Sequence, residues 1–158
     1  MVIERKKNGQ CAWTLAACAL MLLGGNACAD DEWLTMSGDG ELPLNTAQNL
    51  IQVNPQSIEG SAELRTMGVR VSRSAQRTNW DGLPYRSYVA TVEFDCVKKT
   101  ARYVLINYYL TPVWSGPVHK AVSYPLQNPR YMAFREVTPN PLDRIVRAAC
   151  MSGSVLSN

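Results

Sequence analysis

Histidine is almost absent from this chain, which has His119 alone. A catalytic triad with a histidine base would have to use that residue, and no Gly-x-Ser-x-Gly motif frames a serine nucleophile. Metal-ligand spacing and a glycine-rich phosphate loop are also missing. Glu93 and Asp95 share a strand face, but a solvated face beside the lysines at 98 and 99 is the simpler interpretation. We therefore predict no metal, no cofactor and no enzymatic activity.

Long apolar runs are lacking outside the first 29 residues. There, basic residues at 5–7 precede an apolar stretch over 11–25, and Ala27 and Ala29 supply an A-x-A cleavage pattern. A membrane-spanning helix needs about 20 apolar residues, so this stretch is short for a permanent anchor. The sequence predicts a signal peptide over residues 1–29 and a single domain over residues 30–158.

A lipoprotein is the alternative to simple cleavage after Ala29. Cys28 follows a small residue, and a cysteine beside the cleavage site can become the lipidated first residue of the mature chain. Cys18 fits the local pattern better, but lipidation there would leave an apolar tail on the mature protein. Membrane attachment is expected only if Cys28 is lipidated.

An excess of charge of either sign is also lacking. The chain has 16 basic and 13 acidic residues, for a net charge of +3. The predicted signal peptide contributes two of these net charges, through Arg5, Lys6 and Lys7 against Glu4. A nearly neutral domain gives no reason to expect nucleic acid as a partner, because such binding depends on concentrated positive charge.

Alternating apolar residues predict an antiparallel sheet. Met67, Val69 and Val71 lie on one strand face, and Tyr88, Ala90, Val92, Phe94 and Cys96 share a face of another strand. A tight turn at 98–99 leads into a strand over 101–110, and further strands are expected at 33–36, 50–53 and 117–124. The second of these is expected to end at Asn54-Pro55, and residues 76–85 are expected to form a loop.

A C-terminal helix is predicted after Asn140 and Pro141. Leu142, Ile145, Val146 and Ala149 recur at helical spacing, so they form one apolar stripe. The expected fold is therefore α+β, an antiparallel meander sheet with a C-terminal helix packed on one face.

The cysteines divide between the two parts of the chain. Three fall in the predicted signal peptide, and Cys96 and Cys150 remain in the domain. An even pair in an exported chain favours one disulfide, which would join the inner face of a strand to the helix. Two buried free thiols are the alternative.

The order of these features resembles the surface-adhesin protein E family of small exported proteins of Gram-negative bacteria. The resemblance rests on residues 51–58, the strand end at 93–96, the tyrosines at 108 and 109, and the closing segment 139–150. It implies an antiparallel sheet with a C-terminal helix and a role in binding host extracellular proteins. It assigns no binding residues.

Two sets of residues form a candidate binding patch. Arginines cluster over one predicted strand and loop, and aromatic residues fall in turn-like segments. The arginines suit an anionic glycan or lipid head group, although arginines are also normal on a wet strand face, and the aromatic residues also suit the ends of a sheet. The patch consists of Arg65, Arg70, Arg73, Arg77, Arg86, Trp80, Tyr85 and Trp114.

These observations predict an exported protein of the periplasm or outer-membrane surface that acts by non-covalent binding. The expected partner is a host extracellular matrix component or an envelope macromolecule. A periplasmic structural or accessory protein without a host ligand is the alternative.

Overall fold

The computed structural model describes residues 32–41 and 43–151. The predicted signal peptide and Cys28 lie outside these residues. Within them, the chain forms seven strands and one α-helix: β1 (Leu34–Ser37), β2 (Leu50–Gly60), β3 (Leu64–Thr78), β4 (Pro84–Asp95), β5 (Thr100–Tyr109), β6 (Lys120–Ser123), β7 (Arg130–Tyr131) and α1 (Leu142–Met151).

The strands form one antiparallel sheet in the order β1-β2-β3-β4-β5-β6, and β7 also pairs with β5. Each strand from β1 to β6 therefore lies beside its neighbour in the chain, as a meander requires. Antiparallel neighbours need only short connections, and the turns between β2 and β5 are short. The predicted α+β meander is confirmed, whereas β7, which is two residues long, was not predicted.

The core lies on one face of the sheet, which we call the inner face. Val69 and Val71 of β3 and Val92 and Phe94 of β4 point there and are buried. In β5 the strict alternation fails, because the pairing with β4 shifts between Thr91 and Val92. This β-bulge is why Tyr103 and Tyr108, at positions of opposite parity, share the inner face.

Strand β2 does not end at Asn54-Pro55, contrary to expectation. It continues to Gly60, and its pairing with β3 shifts between Asn54 and Glu59. Proline cannot donate a backbone hydrogen bond to a neighbouring strand. In this bulge, side-chain oxygens accept hydrogen bonds from backbone amides in place of the regular bonds between β2 and β3. The Ser57 hydroxyl accepts a hydrogen bond from the Gly68 amide at 2.8 Å, and Asn54 Oδ1 accepts one from the Gln56 amide at 3.0 Å.

The predicted loop over 76–85 is also wrong at both ends. After a bulge at residues 73–76, Arg77 pairs with Tyr85 and Thr78 pairs with Pro84. Only a short turn remains between β3 and β4, where Asn79 Oδ1 accepts hydrogen bonds from the amides of Asp81 and Leu83. The residues of β3 and β4 that pair beyond this bulge show no alternation of apolar and polar side chains, so the sequence did not indicate that they form strands.

Helix α1 packs on the inner face against β2, β3 and β4. Ile145, Val146 and Ala149 are buried, as the apolar stripe predicts. At the start of the helix, Asn140 Oδ1 accepts a hydrogen bond from the Leu142 amide at 3.0 Å. At its end, the Arg65 guanidinium donates a hydrogen bond to the Ala149 carbonyl at 3.0 Å. A cation at this position interacts favourably with the helix dipole.

A disulfide links the helix to the sheet. Cys96, directly after β4, is bonded to Cys150 of α1, with a Cα–Cα distance of 5.5 Å. The predicted disulfide is confirmed. The disulfide holds the helix at the Cys96 end of β4. No residue of α1 lines the cleft near the opposite end of the inner face.

Candidate functional site

A cleft of about 490 Å³ lies at the opposite end of the inner face from the disulfide. Its floor is formed by residues of β3, β4 and β5, and the segment 131–136 borders it. Small-molecule sites in proteins commonly have volumes of about 300–1,000 Å³. The side chains that give the cleft its character are arginines and aromatic residues.

Arg73 is the most buried arginine of this cleft, with a relative exposure of 6%. It stands at the start of the bulge in β3, where the Arg86 guanidinium donates a hydrogen bond to the Arg73 carbonyl at 2.7 Å. Among residues 32–41 and 43–151, the Arg73 Nε atom has no hydrogen-bond partner. A buried guanidinium normally bonds a carboxylate or a carbonyl, so this buried Nε shows that the described residues do not fully satisfy the Arg73 side chain.

Two more arginines and one carboxylate border the cleft. Arg77 forms an ion pair with Glu136 at 2.5 Å, and Arg135 lies next to Glu136 in the chain. Because Glu136 balances one of the three positive charges, the lining of the cleft is positive. The arrangement favours an anionic group.

Tyrosine side chains form the aromatic lining. Tyr85 contacts Tyr88 and Tyr108, with ring centroids 5.8 Å and 5.2 Å apart, and Tyr88 contacts Tyr103 at 5.9 Å. The hydroxyl groups of Tyr88 and Tyr103 are hydrogen-bonded at 2.8 Å. Trp80, which is half exposed, packs on Tyr103 at 5.8 Å and lies at the rim.

A second set of hydrogen-bonded side chains links Tyr108 of the cleft to Tyr124 and Asp81. The hydroxyl groups of Tyr108 and Tyr124 are 3.2 Å apart, and Tyr124 donates a hydrogen bond to the Asp81 carboxylate at 3.4 Å. Since Tyr124 donates its own hydrogen bond to Asp81, it accepts the hydrogen bond that Tyr108 donates. These hydrogen bonds fix the ring of Tyr108 within the cleft.

The buried tyrosines are neutral phenols. Burial raises the pKa of Tyr88, Tyr103 and Tyr108 well above the ordinary value for tyrosine. The positive charge of Arg73 lowers the pKa of Tyr88 and Tyr103 but does not outweigh burial. The charge of the cleft therefore comes from its arginines and Glu136, and the phenols act as hydrogen-bonding groups.

These raised pKa values predict alkaline unfolding. In the unfolded chain a phenol ionises near pH 10, whereas in the folded protein the buried phenols keep their protons. Stability should thus be unaffected below about pH 10 and fall above it, by up to about 1.4 kcal/mol per pH unit for each buried phenol. We expect their phenolate absorbance to appear together with loss of circular dichroism, and Tyr103→Phe to reduce the pH dependence. Ionisation of the buried phenols in a fully folded protein would contradict this.

The remaining residues of the candidate patch lie elsewhere. Arg70 and Trp114 are on the outer face, where the Arg70 guanidinium lies 4.1 Å from the Trp114 ring centroid and 4.2 Å from that of Trp33. Arg65 holds the end of α1, and Arg86 bonds the Arg73 and Thr46 carbonyls. Of the eight residues, the fold brings four together at the cleft: Arg73, Arg77, Trp80 and Tyr85.

Trp114 has a structural position. Its indole N–H donates hydrogen bonds to the carbonyls of Tyr88 at 2.8 Å and Val71 at 3.2 Å. The buried hydroxyl of Ser87 accepts a hydrogen bond from the Trp114 amide at 3.0 Å. These bonds hold the short 3₁₀ turn Pro112–Trp114 against the outer face of β3 and β4.

The two carboxylates considered in the sequence each have a cation. Glu93 pairs with Arg102 at 2.7 Å and Asp95 pairs with Lys98 at 3.1 Å. The Lys98 amide also donates a hydrogen bond to Asp95, which lowers the pKa of that carboxyl group.

In the described part of the chain, no group of three or more metal-ligating side chains occurs. The same residues contain no helix long and apolar enough to cross a membrane.

Sequence reasoning missed the other lining residues of the cleft, among them three buried tyrosines and two charged residues. The alternation in β4 predicted that Tyr88 lies on the apolar face, and Tyr103 and Tyr108 fell in the strand predicted over 101–110, but nothing indicated that the three tyrosines border a cleft. Arg135 and Glu136 lie in an irregular segment with no periodic pattern. The only indication in the sequence was their charge, because an acidic residue such as Glu136 can form an ion pair with one of the arginines of β3.

Fold and cleft together define a class: a small disulfide-bonded α+β domain, in which a positive, tyrosine-lined cleft lies beside a helix on the inner face of a meander sheet. The chain belongs to the surface-adhesin protein E family, whose model matches residues 33–151. Membership implies an exported protein that binds host surface molecules. No curated protein matches the sequence.

Proposed function

We propose that this protein is an exported, non-enzymatic binding protein of adhesin type and that the cleft is its ligand-binding site. Residues 30–158 are the mature domain in this proposal, and residues 1–29 direct export. The partner is a host extracellular matrix component or an envelope macromolecule. Membership of the adhesin family supports the binding role.

Arg73 is the observation that carries the assignment of the cleft. Burying a charged group costs several kcal/mol unless it is paired. Its Nε atom is buried and lacks a hydrogen-bond partner among the described residues, and its side chain lines the cleft together with Tyr88 and Tyr103. A ligand that places an acceptor against the part of this guanidinium that lines the cleft would offset part of that cost, so the site favours binding.

Rim substitutions test the role of the cleft in adhesion. We expect the variant carrying Trp80→Ala and Arg135→Ala to bind immobilised matrix proteins or host cells about 10-fold more weakly, because aromatic and arginine anchors dominate interface energies. The matched control carries Val97→Ala and Arg147→Ala, which remove one exposed apolar side chain and one exposed arginine away from the cleft. Equal binding by the two variants and the unmodified protein would contradict the proposal.

Protease treatment of intact cells tests the location. A surface adhesin should be cleaved on intact cells, whereas a periplasmic accessory protein should stay protected until the outer membrane is opened. The mass of the mature protein distinguishes cleavage after Ala29 from lipidation at Cys28. Full protection on intact cells would exclude surface adhesion and favour the accessory role.

A further inference from the structure

The cleft combines three features that restrict the chemistry of its ligand. It has a buried arginine, a positive lining, and neutral phenols among its lining residues whose hydroxyl groups can donate and accept hydrogen bonds. We infer that the cleft binds a sugar ring that carries a carboxylate. This inference rests on the proposed function, because it takes the cleft as the binding site.

The arginines account for the carboxylate. A guanidinium presents its N–H groups as a planar fork that matches the two oxygens of a carboxylate. Arg77 is engaged by Glu136, and Arg73 Nε has no partner in the described part of the chain. Arg73 is therefore the recognition group, and Arg135 adds positive charge where residues 131–136 border the cleft.

The phenols account for the sugar. A hydrogen bond between two hydroxyl groups uses one of their two protons, so the Tyr88 and Tyr103 pair retains one O–H to donate and lone pairs to accept. The hydroxyl groups of a sugar also donate and accept, whereas a fatty acid chain would leave the remaining O–H of this pair without an acceptor. The C–H face of a sugar ring can pack on the exposed parts of Tyr85 and Trp80, and the ring fits a cleft of about 490 Å³.

Two sources of such a ligand share this chemistry. Host matrix polysaccharides contain uronic acids, and bacterial envelope glycolipids contain carboxylated keto sugars. A hyaluronan tetrasaccharide and a 3-deoxyoctulosonate monosaccharide are probes for the two sources. Tighter binding of one than of the other assigns the source, and binding of either supports the shared chemistry.

Calorimetric titration of the purified protein with D-glucuronate and D-glucose tests the inference. The two sugars differ only in carrying a carboxylate or a hydroxymethyl group, so we expect glucose to bind at least 10-fold more weakly. Inorganic phosphate and benzoate are the further probes, since each carries an anion without sugar hydroxyl groups. Equal binding of glucose, equal binding of phosphate, or no binding of any carboxylated sugar would overturn the inference.

Variants locate the binding. Arg73→Gln is expected to weaken glucuronate binding by about 10- to 100-fold, and Arg73→Lys by less, because it keeps the charge and loses the fork. Tyr88→Phe should weaken glucuronate binding by roughly 3- to 10-fold and leave benzoate binding unchanged. The control Arg70→Gln changes an arginine on the outer face, and loss of sugar binding in that variant alone would overturn the assignment. The Tyr88→Phe result stands as the test should Arg73 variants fail to fold.

The two proposals fail in different ways. If the rim variants lose adhesion and no carboxylated sugar binds, the ligand class is wrong and the adhesion site stands. If glucuronate binds through Arg73 and the rim variants adhere normally, the cleft binds acidic sugar and adhesion uses another surface.

Discussion

Replacing both Cys96 and Cys150 by alanine is expected to lower the free energy of unfolding by about 4 kcal/mol. The bond closes a loop with a sequence separation of 54, and in the chain-entropy model its loss frees that loop in the unfolded state. Domains of this size have total stabilities of about 5–15 kcal/mol, so the loss removes a large part of the stability. The midpoint of thermal unfolding should fall by roughly 10–25 °C.

Urea unfolding of the oxidised protein and the double variant measures this effect. The slope against urea should increase in the variant, because an unfolded chain without the cross-link exposes more surface. The unmodified protein in reductant should behave like the variant. The control Met151→Ala changes the next, exposed residue of α1 and should alter stability by less than about 0.5 kcal/mol. A loss below about 1 kcal/mol for the double variant would show that packing of Ile145, Val146 and Ala149 suffices to hold the helix.

Phe134→Ala is expected to lower the free energy of unfolding by about 3–5 kcal/mol. The Phe134 side chain is 2% exposed and belongs to the hydrophobic core, although it lies in the irregular segment that connects β7 to α1 in the chain. Removing it takes away apolar burial and leaves a cavity that a segment with little regular structure fills poorly. Its neighbours Ala133, Arg135 and Glu136 border the cleft, so the same change should weaken ligand binding.

Variants of Phe134 with side chains of different volume show how the stability of the domain and its ligand binding depend on packing at this position. Phe134→Leu keeps most of the volume and should cost about 1 kcal/mol, and the control Leu126→Ala removes a side chain that is 67% exposed and should cost less than about 0.5 kcal/mol. Denaturant midpoints measure the stabilities, and calorimetric titration of the folded variants measures binding. If Phe134→Ala costs no more than Leu126→Ala, residues 132–137 do not pack as described.

The regular parts of β3 and β4 could be predicted because buried residues there alternate with more exposed ones. The alternation from Tyr88 to Phe94 predicted β4, and the helical spacing from Leu142 to Ala149 predicted α1. Prediction failed where the register shifts. The continuation of β2 through Pro55 depends on the hydroxyl of Ser57 and the amide of Gly68, which are 11 positions apart, so no local pattern marks it.

The candidate site was less accessible to the sequence. The arginines of β3 formed one group along the chain, but residues of a strand alternate between the faces of a sheet, and the bulge at 73–76 changes the alternation again. Arg70 therefore meets Trp33 and Trp114 on the outer face, and Arg73 meets the tyrosines on the inner face. This division follows from the opposite parity of positions 70 and 73, and what the run of basic residues could not show is which tyrosines and which later segment meet Arg73 around one cleft.

By itself the sequence determined the antiparallel meander, the C-terminal helix and the pairing of Cys96 with Cys150, because each follows from periodicity or from the even number of cysteines in the predicted mature domain. The prediction of a signal peptide over residues 1–29 rests on the sequence alone. Only the tertiary structure decided that the tyrosines of β4 and β5, the bulge of β3 and the segment 131–136 meet around one cleft. The physical reason is that a cleft is formed by elements distant in the chain, and its shape depends on what α1, held at the other end of the inner face, leaves uncovered.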